Sequence, residues 1–192
     1  TSGIDATMAD PGRVAGVVKN SAGDPLRGIN VAAYCSDGVG GWDYMRDTST
    51  NANGEYELGR LGAGSYRIRF RDWSGPYATQ FYDGKATLAD ADEVVVKSGE
   101  TTSGIDATMM EGGRITGTVK NAKGTALRGI WVIAYQSDGE GGWDYVRDTS
   151  TNANGKYGFG GLVAGTYRVG FEDGRGRYKP QYYDGKASLA QA

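Results

Sequence analysis

The sequence predicts an all-β protein built as two tandem antiparallel β-sandwiches. Two observations carry this. The first is a repeat without gaps. TSGIDATM at Thr1 to Met8 recurs at Thr102 to Met109, and the same offset of 101 positions links Trp42 to Trp143, Tyr66 to Tyr167 and Asp83 to Asp184. That period is too long for a solenoid unit and suits a complete small domain. The second is strand periodicity. In YRIRFR, Tyr66, Ile68 and Phe70 fall on one side and Arg67, Arg69 and Arg71 on the other, the alternation of a half-buried strand. The second copy, YRVGFE, keeps Tyr167, Val169 and Phe171 on the same side.

The remaining elements follow in order. RVAGVVK, from Arg13, is β-branched, and NSAGDP after it is turn chemistry, since Gly and Asn supply positive φ and Pro fixes φ. INVAAYC, from Ile29, and WDYMRDT, from Trp42, read as strands around a Gly-rich loop. NANG is a hairpin signal leading into EYEL. LADADE suits a short helical turn, and EVVVK and GIDATM read as two strands around SGET. Short strands at this spacing argue a sandwich.

The repeat divides the chain into 1–111, with a leading strand at 1–8 and trailing strands within 92–109, and 112–192. The second copy lacks a counterpart to Asp92–Thr101 and reads as cut short. The chain opens inside a repeat and reads as an excised fragment, so its start says nothing about export. Gly112 and Gly113 are the expected hinge, because Gly tolerates the necessary φ changes.

Composition excludes several classes of function. A net charge of −2 over 192 residues gives no field for nucleic acid or an anionic membrane, and no apolar run approaches the ~18 residues of a membrane helix. Histidine is absent, which removes Ser-His-Asp and Cys-His nucleophiles and His-ligated metals. Cys35 is the single cysteine and becomes Gln136 in the second copy, so no disulfide or zinc site is built on thiols. Carboxylates are plentiful, but no pair sits in a recognisable apolar pocket, and the chain does not read as an enzyme.

GVVKNSAGDPLRGINVAAY, TNANGEYEL and LGAGSYRIRF together resemble the carboxypeptidase regulatory-like domains of bacterial extracellular proteins. Gly16, Gly23, Leu26, Gly28, Val31, Asn53, Gly54, Tyr56, Leu61, Gly64, Tyr66 and Phe70 carry the resemblance, and the second copy departs from it at Ala126 in place of Pro25. The resemblance implies a transthyretin-like, starch-binding-like sandwich with Greek-key connections, in a secreted or cell-surface multidomain protein. It implies no site residues, because the matching positions are turns and core.

The candidate site lies in GGWDY. Trp42 and Tyr44 are two apart and share a strand face, as do Trp143 and Tyr145. If Met45 and Val146 face inward, the aromatics lie outside beside Gly-rich loops and suit stacking on a sugar ring. The same spacing places Arg46 and Arg147 on the aromatic face as donors to hydroxyls. Trp131 replaces Asn30 and adds an aromatic to the second copy. The alternative is that the tryptophans are core. Calcium is a weaker option at Asp37, Asp43, Asp138 and Asp144; neither loop has an EF-hand ladder, and turn carboxylates are the plain alternative. The resemblance to adhesin domains also raises a Lys–Asn or Lys–Asp isopeptide bond, with Lys19 and Asp72, or Lys120 and Asp173, at strand ends that could adjoin; that chemistry needs an apolar setting and a buried carboxyl, and both lysines sit next to an Asn-initiated turn.

Two functions remain open. One is a carbohydrate-binding or adhesion module without a cofactor, whose partner is a polysaccharide or cell-surface glycan and whose two copies act by avidity. The other is a structural spacer whose partners are neighbouring domains of the same chain.

Overall fold

The computed structural model describes residues 3–5, 8–73, 75–138 and 141–192. It divides into two compact units, Thr1–Glu111 and Gly112–Ala192. Helix among the described residues is confined to single 3-10 turns at Tyr183–Gly185 and Leu189–Gln191.

Unit 1 contains β1 (Gly12–Asn20), β2 (Asn30–Ser36), β3 (Trp42–Ser49), β4 (Glu55–Leu61), β5 (Gly64–Arg71), β6 (Gln80–Phe81), β7 (Val94–Val96), β8 (Thr101–Thr102) and β9 (Ala107–Met109). One sheet runs β4-β1-β8 with β9 also against β1; the other runs β3-β2-β5-β6 with β7 also against β5. The core between them joins Val14, Val18, Val31, Tyr56, Leu58, Ile68, Phe70 and Met109. The alternation in β5 sorts as its sequence requires: Tyr66, Ile68 and Phe70 are buried, and the arginines face outward.

Unit 2 contains β10 (Gly113–Thr118), β11 (Trp131–Ser137), β12 (Trp143–Ser150), β13 (Lys156–Leu162), β14 (Tyr167–Glu172) and β15 (Gln181–Tyr182). Its sheets run β10-β13 and β12-β11-β14-β15. The core gathers Val132, Ala134, Phe159, Leu162 and Val169.

The repeated TSTNANG is scaffold. Asn51 Oδ1 accepts from the N–H groups of Asn53 (2.8 Å) and Glu55 (3.0 Å), and Gly54 takes φ 74° to close the turn. Thr50 is buried; its hydroxyl donates to Leu26 O (2.5 Å) and accepts from Ile29 N–H (3.0 Å). Thr151 makes the same pair of bonds to Leu127 O (2.6 Å) and Ile130 N–H (3.0 Å).

Three local expectations change. The sheets are not purely antiparallel, because β8 and β9 run parallel to β1. The leading strand expected at 1–8 lies partly outside the described residues; Gly3–Asp5 and Met8 are not in a strand. The physical reason is that its place beside β1 holds the identical segment ending in β9. Gly112 and Gly113 are built into unit 2: Gly113 pairs with Leu162, and a Cβ on Gly112 would meet Leu162 N at 2.6 Å.

Candidate functional site

The outward face of the β3-β2-β5 sheet collects the aromatic residues. On β2 this face carries Asn30, Ala32, Tyr34 and Ser36; on β5 it carries Arg67, Arg69 and Arg71. A β-bulge decides what β3 contributes. Ala33 pairs with Arg46, but Tyr34 pairs with Tyr44, so Met45 is an extra residue. The bulge turns Trp42 and Tyr44 outward and sends Arg46 to the opposite side. β12 has the same bulge at Val146, between the Ala134–Arg147 and Tyr135–Tyr145 pairs.

Arg46 and Arg147 therefore do not share the aromatic face. Arg46 reaches β4 and donates to Gly59 O (2.8 Å) and Arg60 O (3.2 Å). Arg147 is buried and donates to Gly160 O. These carbonyls lie where the β1–β4 and β10–β13 ladders slip register. The arginines hold the edges of the two sheets together. The alternation that predicted otherwise was broken by one inserted residue in each strand.

Trp42 and Trp143 are partly buried. The Arg67 guanidinium sits over Trp42, 4.3 Å from the ring centroid, and also donates to Leu88 O and Ala89 O (2.6 Å each). Arg168 lies over Trp143 at 4.0 Å and donates to Leu189 O. Such stacks contribute about 0.5–2 kcal/mol. Tyr34 packs edge-on against Tyr44 at 5.9 Å, with Arg69 over it at 5.4 Å. Tyr44 and Tyr145 remain 55% and 56% exposed, each donating its hydroxyl to a neighbouring carboxylate, Asp47 or Asp148. That bond pushes the Tyr44 phenol pKa up.

Unit 2 departs from this pattern at two positions. Trp131 is 57% exposed and stands where Asn30 bonds Asp47 (2.8 Å) in unit 1. Gly170 replaces Arg69, and the rings of Tyr182 and Tyr135 lie against it. Beside Trp143, a shallow concavity of about 540 Å³ is lined by Ser137, Gly141, Arg168, Leu189 and Ala190. The Arg67–Trp42 stack was not legible in the sequence, since it spans two strands separated by β2.

Asp37 caps its own loop, accepting from Val39 N–H and Gly41 N–H at 2.8 Å each. Those bonds, Val39 first, hold its carboxyl below its ordinary pKa. Asp138 accepts from Gly142 N–H (2.8 Å), and Asp43 and Asp144 are exposed on their strands. No group of three or more metal-ligating side chains occurs among the described residues. Asp72 accepts from Gly75 N–H (2.8 Å), and Asp173 pairs with Arg177 (3.0 Å), so both carboxylates serve their own turns. No helix among the described residues is long and apolar enough to cross a membrane.

Comparison with known proteins matches residues 13–110 and 114–184 to the carboxypeptidase regulatory-like domain, one match per copy. The chain belongs to this family. Among curated proteins it is similar to the serine-aspartate repeat-containing protein C of Staphylococcus aureus (28% identity over 77% of this chain and 17% of that protein). It is also similar to the serine-aspartate repeat-containing protein F of Staphylococcus epidermidis (28% identity over 81% of this chain and 9% of that protein). The chain thus spans less than a fifth of these relatives' length. Among solved structures, a streptococcal ancillary pilin aligns at 16% identity over 86% of this chain and 54% of its own, with a TM-score of 0.41.

Proposed function

We propose that this chain is a tension-resisting structural module of a secreted or cell-surface repeat protein, and that it is not an enzyme. The observation that carries this is the pairing of the first and last strands of unit 1. β1 and β9 are parallel neighbours, with Val18 opposite Ala107, Lys19 opposite Thr108 and Asn20 opposite Met109. Tension enters unit 1 at the start of β1 and leaves at the end of β9. Parallel neighbours are then drawn in opposite directions, so their hydrogen bonds load together in shear and do not peel one at a time. Arg67 stacked over Trp42 and the bonds of Arg46 to Gly59 O and Arg60 O stiffen the same sandwich.

Force spectroscopy on the 192-residue chain tests this. Unit 1 is expected to unfold in one event at a higher force than unit 2, where no strand among the described residues pairs beside β10 opposite β13. Gradual low-force unzipping of unit 1 would overturn the proposal.

A second reading has its own support. Tyr44, Tyr145 and Trp131 leave aromatic surface open to solvent, which suits stacking on a glycan ring. On this reading the glycan-binding set is Trp42, Tyr44, Trp131, Trp143 and Tyr145, with Arg67 and Arg168 in place of Arg46 and Arg147. Retention on starch, cellulose or chitin gels that is lost in Tyr44→Ala/Trp131→Ala/Tyr145→Ala would establish it; no retention of the native chain would remove it.

A further inference from the structure

We propose that the outward face of the β3-β2-β5 sheet of unit 1 binds an acidic polysaccharide, whose sugar carboxylates are held by Arg67, Arg69 and Arg71. The inference rests on the glycan reading above and deepens it, naming the charge of the glycan and the unit that takes it.

The three arginines occupy alternate positions of β5, about 6.6 Å apart along the strand. Each guanidinium sits over an aromatic ring: Arg67 over Trp42 at 4.3 Å, Arg69 over Tyr34 at 5.4 Å and Arg71 over Trp73 at 3.8 Å. All three side chains are partly buried, and Ala32, which pairs with Arg69, is wholly so. A stacked guanidinium is held in one plane, with N–H groups around its edge to offer an anion.

The face carries more positive charge than it neutralises. Arg67 and Arg69 make no ion pair among the described residues. Their Nε atoms are buried and find no acceptor there. Arg67 donates from Nη1 to the Leu88 and Ala89 carbonyls, and Arg69 donates to Asn30 Oδ1 at 3.5 Å. Among the described residues of these three strands, Asp47 is the one carboxylate that the register puts on this face. It already accepts from the Tyr44 hydroxyl and the Asn30 amide. Like charges side by side repel. The row does not reflect a basic composition, since the whole chain carries a net charge of −2.

Unit 2 supplies the contrast. The counterparts of the three arginines are Arg168, Gly170 and Glu172, and Gly174 stands in place of Trp73. Arg168 keeps its stack over Trp143. The first stack therefore belongs to the fold of both units, and the same sheet forms in unit 2 without the other two arginines. Their presence in unit 1 answers to a ligand.

The chemistry selects the ligand. Guanidinium forks bind carboxylates through two parallel bonds. Tyr44, 55% exposed, lies in the same cross-strand row as Tyr34 and Arg67 and offers its ring to the apolar face of a sugar. A row of cations beside an open ring matches a polymer that carries a carboxylate on each sugar. A neutral glycan would leave the cations unpaired, and a phosphate polymer would leave the ring unused.

The test is affinity electrophoresis of the 192-residue chain in gels with polygalacturonate, with starch, cellulose or chitin, and with no polysaccharide. Arg69→Gln/Arg71→Gln is run beside Arg27→Gln/Arg128→Gln, which removes the same charge at two exposed sites off this face. Polygalacturonate is expected to retain the native chain, less so as salt rises. Retention should be about tenfold weaker in Arg69→Gln/Arg71→Gln, the loss of one charge-assisted contact or more, and unchanged in the control. In the native chain, galacturonate oligomers should shift the Arg67 and Arg69 Nε–H resonances, a readout that does not depend on how the variant folds. Retention by a neutral gel but not by polygalacturonate would overturn this proposal and leave the glycan reading standing; no retention by any gel would remove both. Stronger competition by polyphosphate than by galacturonate oligomers, equal losses in the two variants, or unmoved Nε–H resonances would each overturn it.

Discussion

The two units share most of their sequence but differ in how they are closed. In unit 1 the first strand is flanked on both sides, by β4 and by β8 and β9. In unit 2 the equivalent strand pairs with β13 and, among the described residues, with no other strand. The same residue types then behave differently. Tyr56 is buried and bonded to Ile105 O, and burial pushes its phenol pKa up. Tyr157 is partly exposed and covers Gly117. The core of unit 1 draws on Ile105, Ala107 and Met109, which are distant in sequence from the sandwich they complete. The contrast teaches that one edge strand determines how deeply the central residues of this fold are buried.

The sharpest way to break this contrast is to remove the anchor of the closing strand. Met109→Ala should destabilise unit 1 by about 2–5 kcal/mol, the cost of a large-to-small change at a fully buried site. Met8→Ala should change the monomer by less than ~0.5 kcal/mol, as for an exposed side chain. Urea titration resolved by amide exchange at Val18 and Val119 assigns each loss to its unit. Equal effects would mean that β9 does not complete the core.

Where the units are alike, substitutions should act alike. Thr50→Val and Thr151→Val each strip a buried N–H, of Ile29 and Ile130, and should each cost about 1–3 kcal/mol. Unequal unfolding shifts would show that the turn itself depends on the closing strand. Tyr56→Phe should cost about 1–2 kcal/mol by leaving Ile105 O without its donor, while Tyr157→Phe should be nearly neutral in the dilute monomer. Thermal melts of the paired variants measure the difference.

A smaller effect should appear at Arg60. It holds φ 59°, and its counterpart is Gly161 at φ 65°. Arg60→Gly should stabilise unit 1 by up to about 1 kcal/mol, because the left-handed backbone strains a side chain and not a glycine. A lower melting temperature would contradict this.

The smallest effect concerns pH. Asp37 has a folded pKa below its ordinary value, held there by the Val39 and Gly41 N–H groups. Its contribution to the loop is therefore present above the ordinary carboxylate pKa of about 3.9 and is lost as pH falls through the lower folded value. The Val39 and Gly41 amide resonances should titrate with a midpoint below that ordinary value. A midpoint at or above it would show that the cap is not formed.

The sequence alone determined the all-β class, the 101-residue repeat and the turn chemistry of TSTNANG, because these depend on local periodicity and backbone preference. It also determined that Trp42 and Tyr44 share a face, since neighbours at i and i+2 on a strand do so whatever packs around them. It misplaced Arg46 and Arg147, because a bulge at Met45 or Val146 shifts the alternation by one, and that shift is set by pairing with β2 or β11. Only the tertiary structure decided that Arg67 covers Trp42, that β9 runs parallel to β1, and that Ile105 and Met109 are core while their counterparts Ile4 and Met8 are exposed. Identical residues cannot encode that last difference. It follows from the neighbours each copy has in the fold: Ile105 and Met109 pack into the core of unit 1 with Val18, Tyr56 and Phe70.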